Sequence, residues 1–137
     1  MTTQQKTWVV NPKSRPKSPV PKMTKERLDK LAHELIEEEF RPRYVKQPRK
    51  NDKFNYIADI YTKWVRNCFY FCAEYRSPCL DDRSAKYEMK FARLEYLSSG
   101  KYILSYQRHN GQWWETDHNI SAPKALRIIS GGAWFTP

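Results

Sequence analysis

The sequence predicts an α+β protein: a basic extended arm, one amphipathic helix, an antiparallel meander sheet of about five strands, and a short C-terminal helix. Three observations carry that expectation. A helical stripe of apolar residues occupies 28–40, aromatic and β-branched runs broken by turn signals fill 54–118, and a capped apolar segment follows at 121–130.

Residues 1–23 read as an arm. Pro12, Pro16, Pro19 and Pro21 alternate with Lys, Arg and Ser, which removes backbone donors and favours polyproline II geometry. Ahead of them, Thr7-Trp8-Val9-Val10 is a small apolar patch suited to a groove or a sheet edge. The helix is expected over 24–40. Leu28, Leu31, Ala32, Leu35, Ile36 and Phe40 fall at i, i+3, i+4, i+7, i+8 spacing, Thr24 is the expected N-cap, and Pro42 the expected stop. Glu37, Glu38 and Glu39 then lie in the last turn, where the helix dipole disfavours acids, and Arg41 and Arg43 offset them. Residues 41–53 form a second basic stretch, a connector with two prolines and no periodicity.

The strands are expected at 54–65, 68–77, 85–97, 101–109 and 112–118, in one domain spanning 24–137. Arg66-Asn67, Ser98-Ser99-Gly100 and Asn110-Gly111 supply the turns, the last being the strongest hairpin signal in the chain. In the fourth strand Tyr102, Leu104 and Tyr106 share a face expected to be buried, and Ser105, Gln107 and His109 share a wetter one. The final helix is expected at 121–130, with Ser121 as N-cap, Pro123 in the first turn, and Gly131-Gly132 as the stop. Trp134 and Phe135 are expected to tuck against the core. Sequential hairpins favour a meander, and both helices can cover one face of it.

At 137 residues the chain is long enough for one core. Of its 20 Phe, Tyr and Trp residues, 17 lie in 54–137, so aromatics supply the burial that Leu and Val do not. No run of 18 apolar residues exists and no apolar segment follows the basic start, so neither a membrane span nor a secretory signal is expected. Acid is missing before Glu26, as in organelle transit peptides, but the prolines oppose the amphipathic helix those form. Cys68, Cys72 and Cys79 are odd in number, which fits reduced thiols in a cytoplasmic protein.

The net charge of +10 is concentrated rather than spread. Residues 1–23 carry +5, 24–40 carry −3, 41–53 carry +5, and the remaining residues carry +3. Proline-punctuated basic stretches on a near-neutral body point to an anionic partner. Lys13, Arg15, Lys17, Lys22, Arg41, Arg43, Lys46, Arg49, Lys50 and Lys53 are the candidate phosphate contacts. Tyr44, set between Arg43 and Lys46, suits single-stranded or looped RNA, where bases stack on aromatic rings. On the sheet, Tyr61 with Lys63, Tyr96 with Lys90, and one of Trp113 or Trp114 are stacking candidates. Adjacent tryptophans on a strand face opposite sides, and Trp114 is taken as the outward one.

Other constellations are weaker. Cys68 and Cys72 lie four apart on a strand, about 13 Å when extended, too far for one tetrahedral metal. His109, Glu115, Asp117 and His118 are residue types used in acid–base work, and Asp59 with Glu88-Met89-Lys90 echoes metal-dependent nucleases. Both patterns are also ordinary polar strand surface. Phosphate-cradling and nucleophile-elbow motifs are missing. The expected function is a non-catalytic module, without a cofactor, that binds nucleic acid (RNA before DNA) or a nucleoprotein complex. The alternatives are an assembly subunit on an acidic protein partner and, third, a Mg²⁺-dependent nuclease.

Overall fold

The computed structural model describes residues 19–46, 55–77, 86–132 and 135–137. A long helix α1 comes first, built from an α-helical stretch Lys22–Leu35, a π-helical turn Ile36–Phe40 and a last α-helical turn Arg41–Tyr44. Five strands follow: β1 (Tyr56–Val65), β2 (Cys68–Arg76), β3 (Lys86–Ser98), β4 (Lys101–Gln107) and β5 (Trp113–Ser121). Helix α2 (Ala122–Ser130) closes the chain. The strands form one sheet in sequence order with every pairing antiparallel, the expected α+β meander.

Pro42 does not end the helix. The chain stays helical to Tyr44 because the turn before the proline is re-registered: the Arg41 amide bonds to the Ile36 carbonyl, an i→i−5 contact. A proline lacks the amide and crowds the carbonyl one turn back, and a π-turn gives the helix a wider register at that point. Thr24 is not the N-cap either. The helix opens at Lys22 behind Pro21, whose carbonyl accepts from Lys25 N at 3.1 Å, with no side-chain cap. Arg41 and Arg43 thus belong to the helix. They meet the acids of the preceding turn, Arg41 to Glu37 at 2.8 Å and Arg43 to Glu39 at 3.9 Å.

Turn chemistry sets the hairpins. Ser99 and Gly100 both take positive φ, the geometry of a two-residue hairpin turn between Ser98 and Lys101. Arg66 has positive φ without being glycine, and the turn is pinned by Asn67, whose carbonyl accepts from Tyr96 N at 2.9 Å. Asn110-Gly111 lies within a longer loop closed by Arg108 N to Gln112 O at 2.8 Å. Strand β5 runs to Ser121, past the expected end at 118. Bulges opposite β4 absorb the extra residues, and Ser121 passes directly into α2 as its N-cap.

One face of the sheet carries the main core. Leu28, Ala32, Ile36 and Phe40 of α1, together with Ala125, Leu126 and Ile129 of α2, pack on Ile60, Phe69, Phe71, Leu94, Tyr102 and Leu104. Phe71 sits centrally, with Phe69, Phe91 and Phe40 rings 5.6, 5.9 and 6.3 Å away. Phe135 reaches the same cluster, as expected; Trp134 lies outside the described residues.

The other face is not simply wet. Ser105 and Cys72 are fully buried and Ile103 nearly so, although neither described helix packs on them. Long side chains from neighbouring strands lie over β4 instead, and they form the site described next.

Candidate nucleic-acid interface

Strand pairing places Lys63, Tyr70, Arg93 and Ser105 side by side across β1 to β4 on the helix-free face. The next row holds Tyr61, Cys72 and Lys90. Lys90 and Arg93 are three apart, so strict alternation would put them on opposite faces. A bulge on β3 opposite Phe71/Cys72 inserts one residue and brings both to the same side. Trp113, opposite Gln107, reaches this face from β5.

These side chains pack into one cluster. The Tyr70 and Trp113 rings meet at 5.7 Å. The Arg93 guanidinium lies 4.9 Å from the Trp113 ring centre and Lys90 Nζ lies 5.7 Å from that of Tyr70. Arg93 also donates to Ser105 Oγ at 3.4 Å, while its Nε is buried with no partner among the described residues. No described carboxylate forms an ion pair with Arg93. Burial raises the Tyr70 phenol above its usual range and pushes the Cys72 thiol up to about 11, so both stay protonated at neutral pH.

Glu88 anchors the neighbouring row. It accepts from Tyr61, from Lys63 at 2.8 Å and from Lys90 at 3.3 Å. The Lys63 hydrogen bond, then that of Tyr61, hold its carboxyl down at about 2 against the opposing effect of burial. Glu88 therefore contributes stability fully above its ordinary value of 4.5, and that contribution fades as pH falls toward 2. Urea unfolding of wild type and Glu88→Gln should show a stability gap at neutral pH that shrinks below about pH 4. Parallel pH profiles would show that the cluster does not tune this carboxylate.

The acid–base candidates do not converge. Asp59 pairs with Arg41 at 2.7 Å, and Glu88 is matched by two lysines, so the nuclease-like trio is tied up in ion pairs. Glu115 pairs with His118 at 2.7 Å and Asp117 accepts from Thr116, while His109 sits in the β4–β5 loop. No group of three or more His, Cys, Asp or Glu is placed to hold a metal among the described residues.

The charge-based candidates divide into three groups. Lys13, Arg15, Lys17, Arg49, Lys50 and Lys53 lie outside the described residues, as do Trp8 and Cys79. Arg41 is committed to Glu37 and Asp59, and Tyr44 packs edge-on to Phe40 at 5.9 Å, against the core rather than open to a base. Lys22 and Lys46 are exposed. Lys46 N bonds to Ile57 O at 3.1 Å and Asn55 reaches the Tyr87 hydroxyl at 3.4 Å, so both anchors of the 47–54 connector lie at the start of β1. Arg76 and Lys86 stand in register beside that start.

The two tryptophans stand on opposite sides of the sheet, as adjacent strand residues should, and Trp114 is on the side away from this cluster. Trp114 pairs with Tyr106, on the helix side, beyond the reach of the helices; it is 48 % exposed and carries Arg108 over its ring at 4.5 Å. Trp113 belongs to the helix-free cluster. Tyr96 is buried against Tyr102 on the core side and is no stacking platform. Arg93 and Tyr70 escaped notice in the sequence because each reads as an ordinary strand residue until the bulge on β3 is known.

No helix among the described residues is long and apolar enough to cross a membrane. A protein family described as a domain of unknown function (DUF3024) matches residues 20–135, and the chain belongs to that family. No curated protein and no solved structure matches the chain.

Proposed function

We propose that this member of the DUF3024 family is a non-catalytic nucleic-acid-binding module whose preferred ligand is single-stranded RNA, alone or in a nucleoprotein complex. The observation that supports this reading best is the Tyr70–Trp113–Arg93–Lys90 cluster on the helix-free face. It combines aromatic rings with two cations, one of them outside any described ion pair. Single strands are recognised by this pairing of base stacking with phosphate contact. The basic connector, whose described ends lie at the start of β1, adds sequence-independent attraction, as does the basic arm. The nuclease-like acids Asp59 and Glu88 are already paired with Arg41, Lys63 and Lys90, which weakens the case for a metal-dependent cleavage site.

The test is a fluorescence-anisotropy titration of labelled single-stranded RNA, single-stranded DNA and duplex over a range of salt. Affinity should fall steeply and linearly on a log–log plot and be strongest for the RNA. Removal of residues 1–19, which precede both α1 and the family match, should weaken binding without altering thermal unfolding. A flat salt dependence, or no binding at low salt, would end the proposal.

A further inference from the structure

At the opposite end of the sheet from the start of β1, α1, the β3–β4 turn and the start of α2 line a cleft of about 600 Å³. Met23, Leu31, Tyr102 and Pro123 give it an apolar lining, and Arg27 and Lys101 stand at its sides. Met23 is 81 % exposed, far more than a methionine held only for its packing. No Asp or Glu is among the described residues that line the cleft, and neither Arg27 nor Lys101 is in an ion pair with a described residue. The first turn of α2 opens onto the same space and adds a partial positive charge of the same sign.

We propose that this cleft is a second binding site, which takes a short acidic segment of a protein partner through one or two aliphatic side chains flanked by carboxylates. Charge selects this occupant. The chain's own N-terminal residues, which lead in sequence to Met23, carry five bases and no acid before residue 24 and would bring like charge to Arg27 and Lys101. A nucleic acid would satisfy the two cations but leave the methionine and leucine floor facing a sugar–phosphate backbone. An acidic peptide with leucine or isoleucine anchors satisfies both, with the apolar contact supplying affinity and the cations orientation. The site lies away from the helix-free face, so both partners can be held at once, which makes the chain an adaptor between nucleic acid and protein.

The test uses the full-length protein and a short labelled peptide of Glu, Asp and two Leu residues, with a second peptide carrying Lys in place of the acids. Wild type should bind the acidic peptide saturably and the basic one not at all. The double change Arg27→Glu/Lys101→Glu should weaken acidic-peptide binding by about tenfold or more, and the uncharged change Met23→Ser should weaken it independently of salt. All three positions are exposed, and unchanged thermal unfolding certifies the variants. RNA binding should persist in each. Failure of wild type to saturate, equal affinity for both peptides, or undiminished binding by the charge-reversed variant overturns the proposal. Loss of RNA binding in that variant, without peptide binding by wild type, assigns the cleft to nucleic acid and overturns it as well.

Discussion

Phe71→Ala is expected to destabilise the protein by about 3–5 kcal/mol, a large share of the roughly 5–15 kcal/mol typical of a domain. Phe71 is fully buried and touches the three other phenylalanines, Phe40, Phe69 and Phe91, that bind α1 to the middle of the sheet. Removing the ring forfeits its burial and leaves a cavity whose walls, two strands and a helix, cannot collapse together. Thermal unfolding should drop by about 10–20 °C. The neighbouring Tyr70→Ala, on the helix-free face, should cost markedly less, because Tyr70 is only partly buried. A loss below about 1 kcal/mol for Phe71→Ala would mean that α1 is not held through this cluster.

The second large effect concerns binding and follows from the proposed interface. Trp113→Ala should weaken single-stranded RNA binding on the order of 10- to 100-fold, the range for loss of one base-stacking ring. The salt slope should stay where it was, because no cation is removed. Arg93→Ala should do the reverse in kind: a smaller loss of affinity accompanied by a slope shallower by roughly 0.7, the value for one phosphate contact on a single strand. Trp114→Ala serves as the control. It removes an equally large and more exposed ring from the other side of the sheet, and it should change affinity by less than about threefold if stacking is confined to the helix-free face. Equal losses at Trp113 and Trp114 would locate the interface elsewhere. The urea titration of Glu88→Gln and the peptide titrations of the cleft probe separate features, so either can fail without the other.

Two of these experiments depend on facing, and facing was only partly legible. The alternation of Tyr102, Leu104 and Tyr106 was visible in the sequence, and those side chains do point to the helices. Ser105 on the opposite parity looked wet and is fully buried, because Tyr70, Arg93 and Trp113 reach across from other strands, and only the pairing register shows that they meet there. The basic connector was legible as charge. That its described ends are pinned together at the start of β1 was not, because the pinning bond joins Lys46 to Ile57 across the segment itself.

Local pattern alone determined the order of elements, the meander topology and the apolar stripe of α1. Helical spacing, strand alternation and turn chemistry are all set within a few residues, and sequential hairpins leave little choice of strand order. Tertiary structure alone decided that helix α1 continues through Pro42, that Lys90 and Arg93 share a face, and that Trp113 rather than Trp114 joins the helix-free cluster. The first depends on a π-turn whose widened register accommodates the proline, and the others on a bulge and a register fixed by partner strands. A one-residue shift in pairing moves a side chain to the other side of the sheet, and only the pairing partner sets that shift.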